Sequence, residues 1–576
     1  MKVKKKTTKA ADWIAFFIVL VLALFRIWIS YNTSLFANTL HMHDEAALMN
    51  MTENLLSGNW LGEYSQFTML KGITYSLFCA FCSITKIPYT IWLPLVLVFA
   101  AFMFVRAIRK ILPYKYVEHL LFLFLIYSPI TFEHTVVQTL YRNALTVPLV
   151  LIVFAGFLGI YFHVEDDKMR VMAVWSVLAG IGLLFFWNLR EDAVWIVPFV
   201  VACSLGSVIL AVQNFRNARK TLKKFLKTTG LIILPFIVAF AGCCVICEIN
   251  EQHYGVFALN DRTYTAFDDV VSLFIQIDYE EENIDDTECF MSGEKFEYII
   301  DHSESLTEHK GFLLNAYKVW AKTISKADNV LGDHIQWAFR LGLATVGFYE
   351  DGEETLEYLE KVKTELEEQI DSGQLQLKEG IFLSSSTKVL SVDELFGFAK
   401  QSLFETMPAV LTYEDVCAQV RYSQGDSETI REWEEIVNSY MLYSDEKEGE
   451  DAVRSEKYVN IANFIIAIYQ KTAVWISVLA FVSILFLTVV QIFGRRILPE
   501  KSRTRTDGWL VCLAMLLSAF VMLLIFTIFT CWNQSLSIPY YCSGAYILLE
   551  AFSVIAISRG IGVAKEIRVC YTAFKQ

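Results

Sequence analysis

A chain of 576 residues that is 55% hydrophobic, with a mean hydropathy of +0.42, is too apolar for an ordinary soluble protein and long enough for many membrane spans. Its net charge of −13 is unevenly placed: about 45 of the 62 acidic residues fall between Glu251 and Glu456, and the remainder of the chain is basic. This reads as an acidic, water-facing domain set inside a basic membrane protein. Because the basic residues lie at the ends of apolar runs, no nucleic-acid partner is implied.

Taken in order, a lysine-rich start (Lys2, Lys4, Lys5, Lys6, Lys9) precedes the apolar run Trp13–Ile29, with no small-residue cleavage site between. A retained first span with a cytoplasmic N-terminus is expected. Ile73–Ile84 is apolar but too short to span, so an interfacial or re-entrant segment is expected there. Further spans are expected at Ile91–Val105, Tyr116–Ile130, Leu145–Phe162, Val171–Trp187, Val194–Val212 and Leu231–Ile249. After the acidic domain, Trp475–Ile492, Trp509–Phe529 and Ile547–Ile557, extended back to about Tyr541, complete ten. Basic clusters at Arg106–Lys115, Arg216–Lys227 and Arg495–Arg505 then all fall inside, and both termini are cytoplasmic. The expected fold is a mainly α, polytopic transmembrane bundle (1–250 and 466–576) with an inserted, largely helical acidic domain (251–465) outside the membrane.

Most of the twelve cysteines lie in apolar segments and read as small core residues; Cys79 and Cys82 form a CxxC without a redox-fold context. Cys289 and Cys417, within the acidic domain, are free to pair. No Walker A motif, no GxGxxG before a helix and no HExxH occurs.

The stretch Met42–Tyr75 follows the first span and opens with Asp44-Glu45. As a helix from Asp44, it places Asp44, Leu48, Met51 and Leu55 on one apolar stripe, while Glu45 shares a more mixed face with Met49, Thr52 and Leu56. Gly58 stands where a C′ residue would end the helix. The stripe is expected to face the bundle and aim Asp44 at a cavity, with Glu45 at its edge or bracing the loop. Other outer loops add Glu133, Arg142 and the turn Arg190-Glu191-Asp192, which join Glu53 and Lys71. Charges at membrane depth are costly and usually functional. Carboxylates among Lys and Arg suit transfer from an anionic leaving group, the carboxylate taking a proton from an acceptor hydroxyl while the cations neutralise a departing phosphate.

Simpler readings stand beside these. Asp44 is also the type of residue that favours a helix N-terminus. Lys71 also suits snorkelling at an interface. Arg190-Glu191-Asp192 also suits a local salt-bridged turn. Trp60 and Tyr64 suit sugar stacking or interfacial anchoring. His41 and His43 are spaced as metal ligands would be beside Asp44.

The chain resembles the GT-C glycosyltransferases, polytopic enzymes that use polyprenyl-phosphate-linked sugars. The residues that carry the likeness are one span followed by Asp44-Glu45, the run Leu55-Leu56-Ser57-Gly58-Asn59-Trp60-Leu61-Gly62, then Tyr64 and Lys71-Gly72-Ile73-Thr74-Tyr75. Relatives commonly carry proline where Ile73 stands. Leu189-Arg190-Glu191-Asp192, followed by Trp195 and Pro198, resembles a turn of the same class. The likeness covers about residues 1–260, with the loop at 31–72 its specific part.

The resemblance implies a sugar moved, with inversion, from a polyprenyl-phosphate donor to a glycan, lipid or protein acceptor at the outer face of a bacterial plasma membrane. It implies Asp44, with Glu45, as catalytic carboxylates. Asp44 would be the base or a holder of a divalent metal ion, the one cofactor the likeness suggests. It implies Lys71, Arg142 and Arg190 at the donor phosphate, supported by Glu191, Asp192, Trp60 and Tyr64. The rival classes are a transporter or flippase of an envelope component, which predicts inverted repeats that the sequence lacks, and a non-catalytic scaffold, which has no use for Asp44.

Overall fold

A computed structural model describes residues 9–166, 168–217, 221–279, 289–443, 449–493, 503–530 and 536–575. The basic residues Lys2, Lys4, Lys5, Lys6, Arg219, Lys220, Arg495, Arg496 and Lys501 lie outside that set. The first half comprises α1 (Lys9–Tyr31), α2 (Glu45–Ser57), α3 (Thr74–Thr85), α4 (Tyr89–Ile108), α5 (Lys115–Ile126), α6 (Thr146–His163), α7 (Met169–Trp187), α8 (Val197–Arg216) and α9 (Leu222–Tyr254). The middle contributes α10 (Ala266–Gln276), α11 (Gly293–Ile300), α12 (Glu304–Glu308), α13 (Lys310–Trp320), α14 (Ile335–Thr345), α15 (Gly352–Asp371), α16 (Val392–Gln401), α17 (Met407–Thr412) and α18 (Ser427–Val437). Three long helices close the chain: α19 (Glu450–Phe493), α20 (Arg503–Phe529) and α21 (Ile538–Lys575).

Among the described residues, nine helical segments are long and apolar enough to cross a bilayer. A tenth forms if α5 and the short helices at Pro129–Gln138 are taken as one span bent by 46°. Pro129 and the non-helical Ser128 before it explain the bend, since proline has no N–H to continue the ladder. The protein is a polytopic helical membrane protein. The short apolar segment after the first loop is the 12-residue α3, packed on α2 and α18.

At the centre of the bundle stands α6, buried along nearly its whole length against α4, α7, α8 and α21. Small residues allow the approach: Gly156 faces the backbone of Ala179, and Gly159 faces the ring of Trp175. In hydrocarbon, where apolar surface gives no drive to associate, such close packing holds helices together.

Some helices run beyond the membrane. At a rise of about 1.5 Å per residue, the 44-residue α19 is ~66 Å long, twice a hydrocarbon core of ~30 Å. The 33-residue α9 likewise projects from the bundle. The expected boundary at 465 therefore falls inside one continuous helix.

The acidic segment also divides. Residues 266–375 build their own core around Phe267, Phe274, Phe296 and Phe339. Met407, Val410, Ile430, Trp433, Val437 and Met441 instead join the core of the bundle. Cys289 and Cys417 do not pair with each other: Cys417 lies beside His134 and Cys289 against the carbonyl of Val330.

Candidate functional site

Helix α2 starts at Glu45, with Asp44 in the N-cap position and Gly58 (φ 79°) ending it in the left-handed conformation. The Asp44 side chain makes no capping hydrogen bond. Its Oδ1 instead accepts from Lys71 Nζ at 2.9 Å and from the Tyr141 hydroxyl at 3.0 Å, while Oδ2 makes no hydrogen bond among the described residues. The Asp44 side chain is 44% exposed, whereas that of Lys71 is 4% exposed. A buried ammonium paired with a carboxylate is not a snorkelling lysine.

Two close approaches put Lys71 there. Gly72 lies against the backbone of Asn188, where no Cβ would fit, and Thr74 N donates to Asn188 O at 3.2 Å. The loop bearing Lys71 is thereby seated on the turn that carries Arg190. In that turn Arg190 makes a bidentate pair with Asp192 (2.9 and 2.8 Å) and also donates to Asn143. Arg142 pairs with Glu191 at 2.8 Å, and Arg262 approaches the other Glu191 oxygen at 3.5 Å. Arg142 and Arg262 each keep a buried Nε–H with no acceptor. The local-turn reading thus holds for Arg190 with Asp192, but Glu191 bridges separate elements.

The acidic domain closes over this cluster. Trp337 lies 5.6 Å from Lys71 Nζ and 5.2 Å from the Arg262 guanidinium. Arg340, 1% exposed, donates to Asp261 at 2.7 Å and to Gln66 O at 2.6 Å, which fastens the first loop to the domain. On the bundle side Tyr141 stacks on Tyr540, and Tyr541 lies under Arg190.

Burial would raise the Asp44 carboxyl, but the Lys71 ammonium and the Tyr141 hydroxyl outweigh it and hold the group well below the usual carboxylate range. Burial pushes Lys71 down to about 8, with Asp44 opposing and Arg142 adding to the effect. His43 is surrounded by Phe67, Trp320 and Trp337, and burial pushes it down to about 4, so it is uncharged at neutral pH.

Several of these residues stand apart from the arrangement read from the sequence. Glu45, not Asp44, is the more buried of the pair, at 5%. Glu45 binds His41 Nδ1 at 3.0 Å and lies near Arg421, bracing the loop. Trp60 and Tyr64 are not brought to the cluster: Trp60 Nε1 donates to Asn250 Oδ1 at 2.7 Å, and Tyr64 stacks on Tyr349. His41 and His43 do not converge as ligands, and no group of three or more metal-binding side chains occurs among the described residues. Glu53 and Glu133 lie apart from Asp44: Glu53 is near Glu432 and Trp433, and Glu133 caps the turn at Thr135.

The donor set suits an anion rather than a divalent cation, since Asp44 stands among cations and the carboxylates of Glu191 and Asp192 are taken by arginines. Sequence reasoning missed Tyr141, Arg262 and Trp337. Arg262 carried a signal, as an isolated base early in a strongly acidic stretch; Tyr141 and Trp337 carried none beyond their aromatic character. Comparisons of the chain with family models, with curated proteins and with solved structures find no match.

Proposed function

We propose that the protein is a membrane glycosyltransferase of the GT-C type, acting at the outer face on a polyprenyl-phosphate-linked sugar and an acceptor hydroxyl. One observation supports this above the rest. A carboxylate with one free oxygen stands beside a buried lysine and two guanidinium groups whose Nε–H donors have no acceptor. That is a base next to a place for a leaving phosphate.

In the free protein Lys71 makes Asp44 a weak base. A donor phosphate that draws Lys71 toward itself compensates the ammonium, and the basicity of Asp44 rises as the acceptor hydroxyl reaches Oδ2. The hydroxyl oxygen then attacks the anomeric carbon as its bond to the phosphate oxygen breaks. The proton passes to Asp44, and the phosphate leaves against Lys71 and the arginines. No metal is needed for that charge balance. Glu45 and Asp192 position the loop and Arg190.

Membranes holding the full chain, incubated with labelled polyprenyl-phosphate sugars and analysed for label leaving the donor, test the reading. Asp44→Asn should lose about 10²–10⁴-fold in transfer, the scale of general-base catalysis, while Glu45→Gln retains part of the activity. Transfer that persists unchanged in Asp44→Asn at equal protein level removes the enzyme reading.

A further inference from the structure

Glu550, in the membrane-crossing part of α21, is used by none of the chemistry above. It is 3% exposed, and neither carboxyl oxygen makes a hydrogen bond of normal geometry. The hydroxyls of Ser128 and Tyr413 face it. Ser128 Oγ and the Tyr546 hydroxyl are likewise buried without a partner. Tyr413, Tyr469, Ser477 and Ser553 line a small cavity with Glu550. Tyr469 donates to Phe124 O and Ser553 to Leu549 O, so their oxygens keep lone pairs available.

An ionised carboxylate in such surroundings is far too costly unless a positive charge joins it. Among the described residues no cation pairs with it: Tyr413 after α17 and Tyr469 of α19 face it, Tyr127 follows α5, and the nearby Arg26 of α1 is held by the carbonyls of Ile126 and Thr131. One turn toward the acidic domain, Tyr546 lies in the field of Glu133, Glu414 and Asp415. Glu133 is held by His134 and the turn it caps, whereas Glu414 and Asp415 are exposed. Exposed carboxylates above a buried one concentrate cations at the mouth. A single carboxylate with neutral hydroxyls balances one positive charge, not two.

We propose that Glu550 binds a monovalent cation, a proton or an alkali ion, that reaches it past Tyr546 from the face bearing the acidic domain. The site lies apart from Asp44 and does not depend on the transfer reading.

A hydrophobic carbodiimide, which reacts with protonated carboxyl groups, tests it on the full chain in membranes, with modification at Glu550 read by mass spectrometry. For a proton site, modification falls about tenfold per pH unit above the pKa of the group and ignores salt. For an alkali-ion site, sodium or potassium chloride suppresses it at fixed pH and choline chloride does not. Melting temperatures of the wild type and Glu550→Gln, a near-isosteric change, give a second readout. The wild type should respond to the suppressing ion or pH and the variant should not. Modification independent of both pH and salt overturns the proposal. So does an unmodified Glu550 in a protein whose melting responds to pH and ions just as Glu550→Gln does.

Discussion

Lys71 is the residue whose protonation sets the pH response of the site. Burial brings it down to about 8, and under the proposed function it must be charged to hold the donor phosphate. The protonated fraction is nearly full at pH 6.5 and falls as pH rises through 8, so kcat/KM should fall along an alkaline limb near that value. Asp44, held below the ordinary carboxylate range, gives no acid limb down to about pH 5. Lys71→Arg keeps a charge that does not titrate and should abolish the limb while leaving reduced activity. Lys71→Met and Arg190→Met should each cost about 2–4 kcal/mol of transition-state stabilisation, the scale for losing one preorganised donor. Initial rates from pH 6 to 9.5 check this. An alkaline limb that survives in Lys71→Arg assigns it to another group.

The loop joining α2 to α3 shows how local structure delivers that lysine. Gly58 and Gly72 are two residues of one kind with separate duties. Gly58 has φ 79° and open space around it, so alanine there carries only backbone strain, about 1 kcal/mol. Gly72 has an ordinary φ but touches the Asn188 backbone, so a methyl group must push the loop off the Arg190 turn. Gly58→Ala should lower the melting temperature slightly with turnover intact. Gly72→Ala should cost about 1–3 kcal/mol and reduce turnover sharply, since Lys71 moves with the loop. Equal turnover in the two variants contradicts this assignment. The helix period is a weaker guide here. It places Asp44 on the buried stripe, yet both faces of α2 are covered, with Leu48 and Met51 on one and Glu45, Met49 and Thr52 on the other. Periodicity presumes one wet face, and a helix held between a bundle and a domain has none over its first turns.

For the whole molecule, the acidic domain is the lid of the site. Arg262 and Trp337 reach the cluster from it, and Arg340 anchors the first loop beneath it. Under the proposed transfer reaction, a cover of this kind would exclude the water that hydrolyses the donor. The alternation of basic loops predicts that the domain faces outward and that Arg216–Lys227 faces the cytoplasm. Single cysteines introduced at exposed positions, Glu353 in the domain and Lys223 in the first turn of α9, should be labelled by an impermeant maleimide on intact cells at the first and not at the second. Protection at 353 reverses the topology and with it the side on which a donor lipid is used.

The bundle itself was legible from residues alone. Apolar runs of about 20 residues can satisfy their backbone only as helices in hydrocarbon, so their lengths and the basic residues between them determined the spans. The short run after the first loop was set apart by length alone. The Asp44, Lys71, Arg142 and Arg190 constellation was legible as a list, because charges beside apolar runs demand a reason. The pairing within that list was decided by the tertiary structure. Asp44 meets Lys71 and Tyr141 across 27 and 97 residues, and Arg142 meets Glu191 across 49. The same packing turned Trp60 and Tyr64 away, drew residues 407–441 into the bundle, and brought Arg262 and Trp337 over the site. Periodicity and hydropathy report only which face of an element avoids water. Which elements meet is set by close packing such as Gly72 on Asn188 and Gly156 on Ala179, where the absence of a side chain carries no hydrophobic signal.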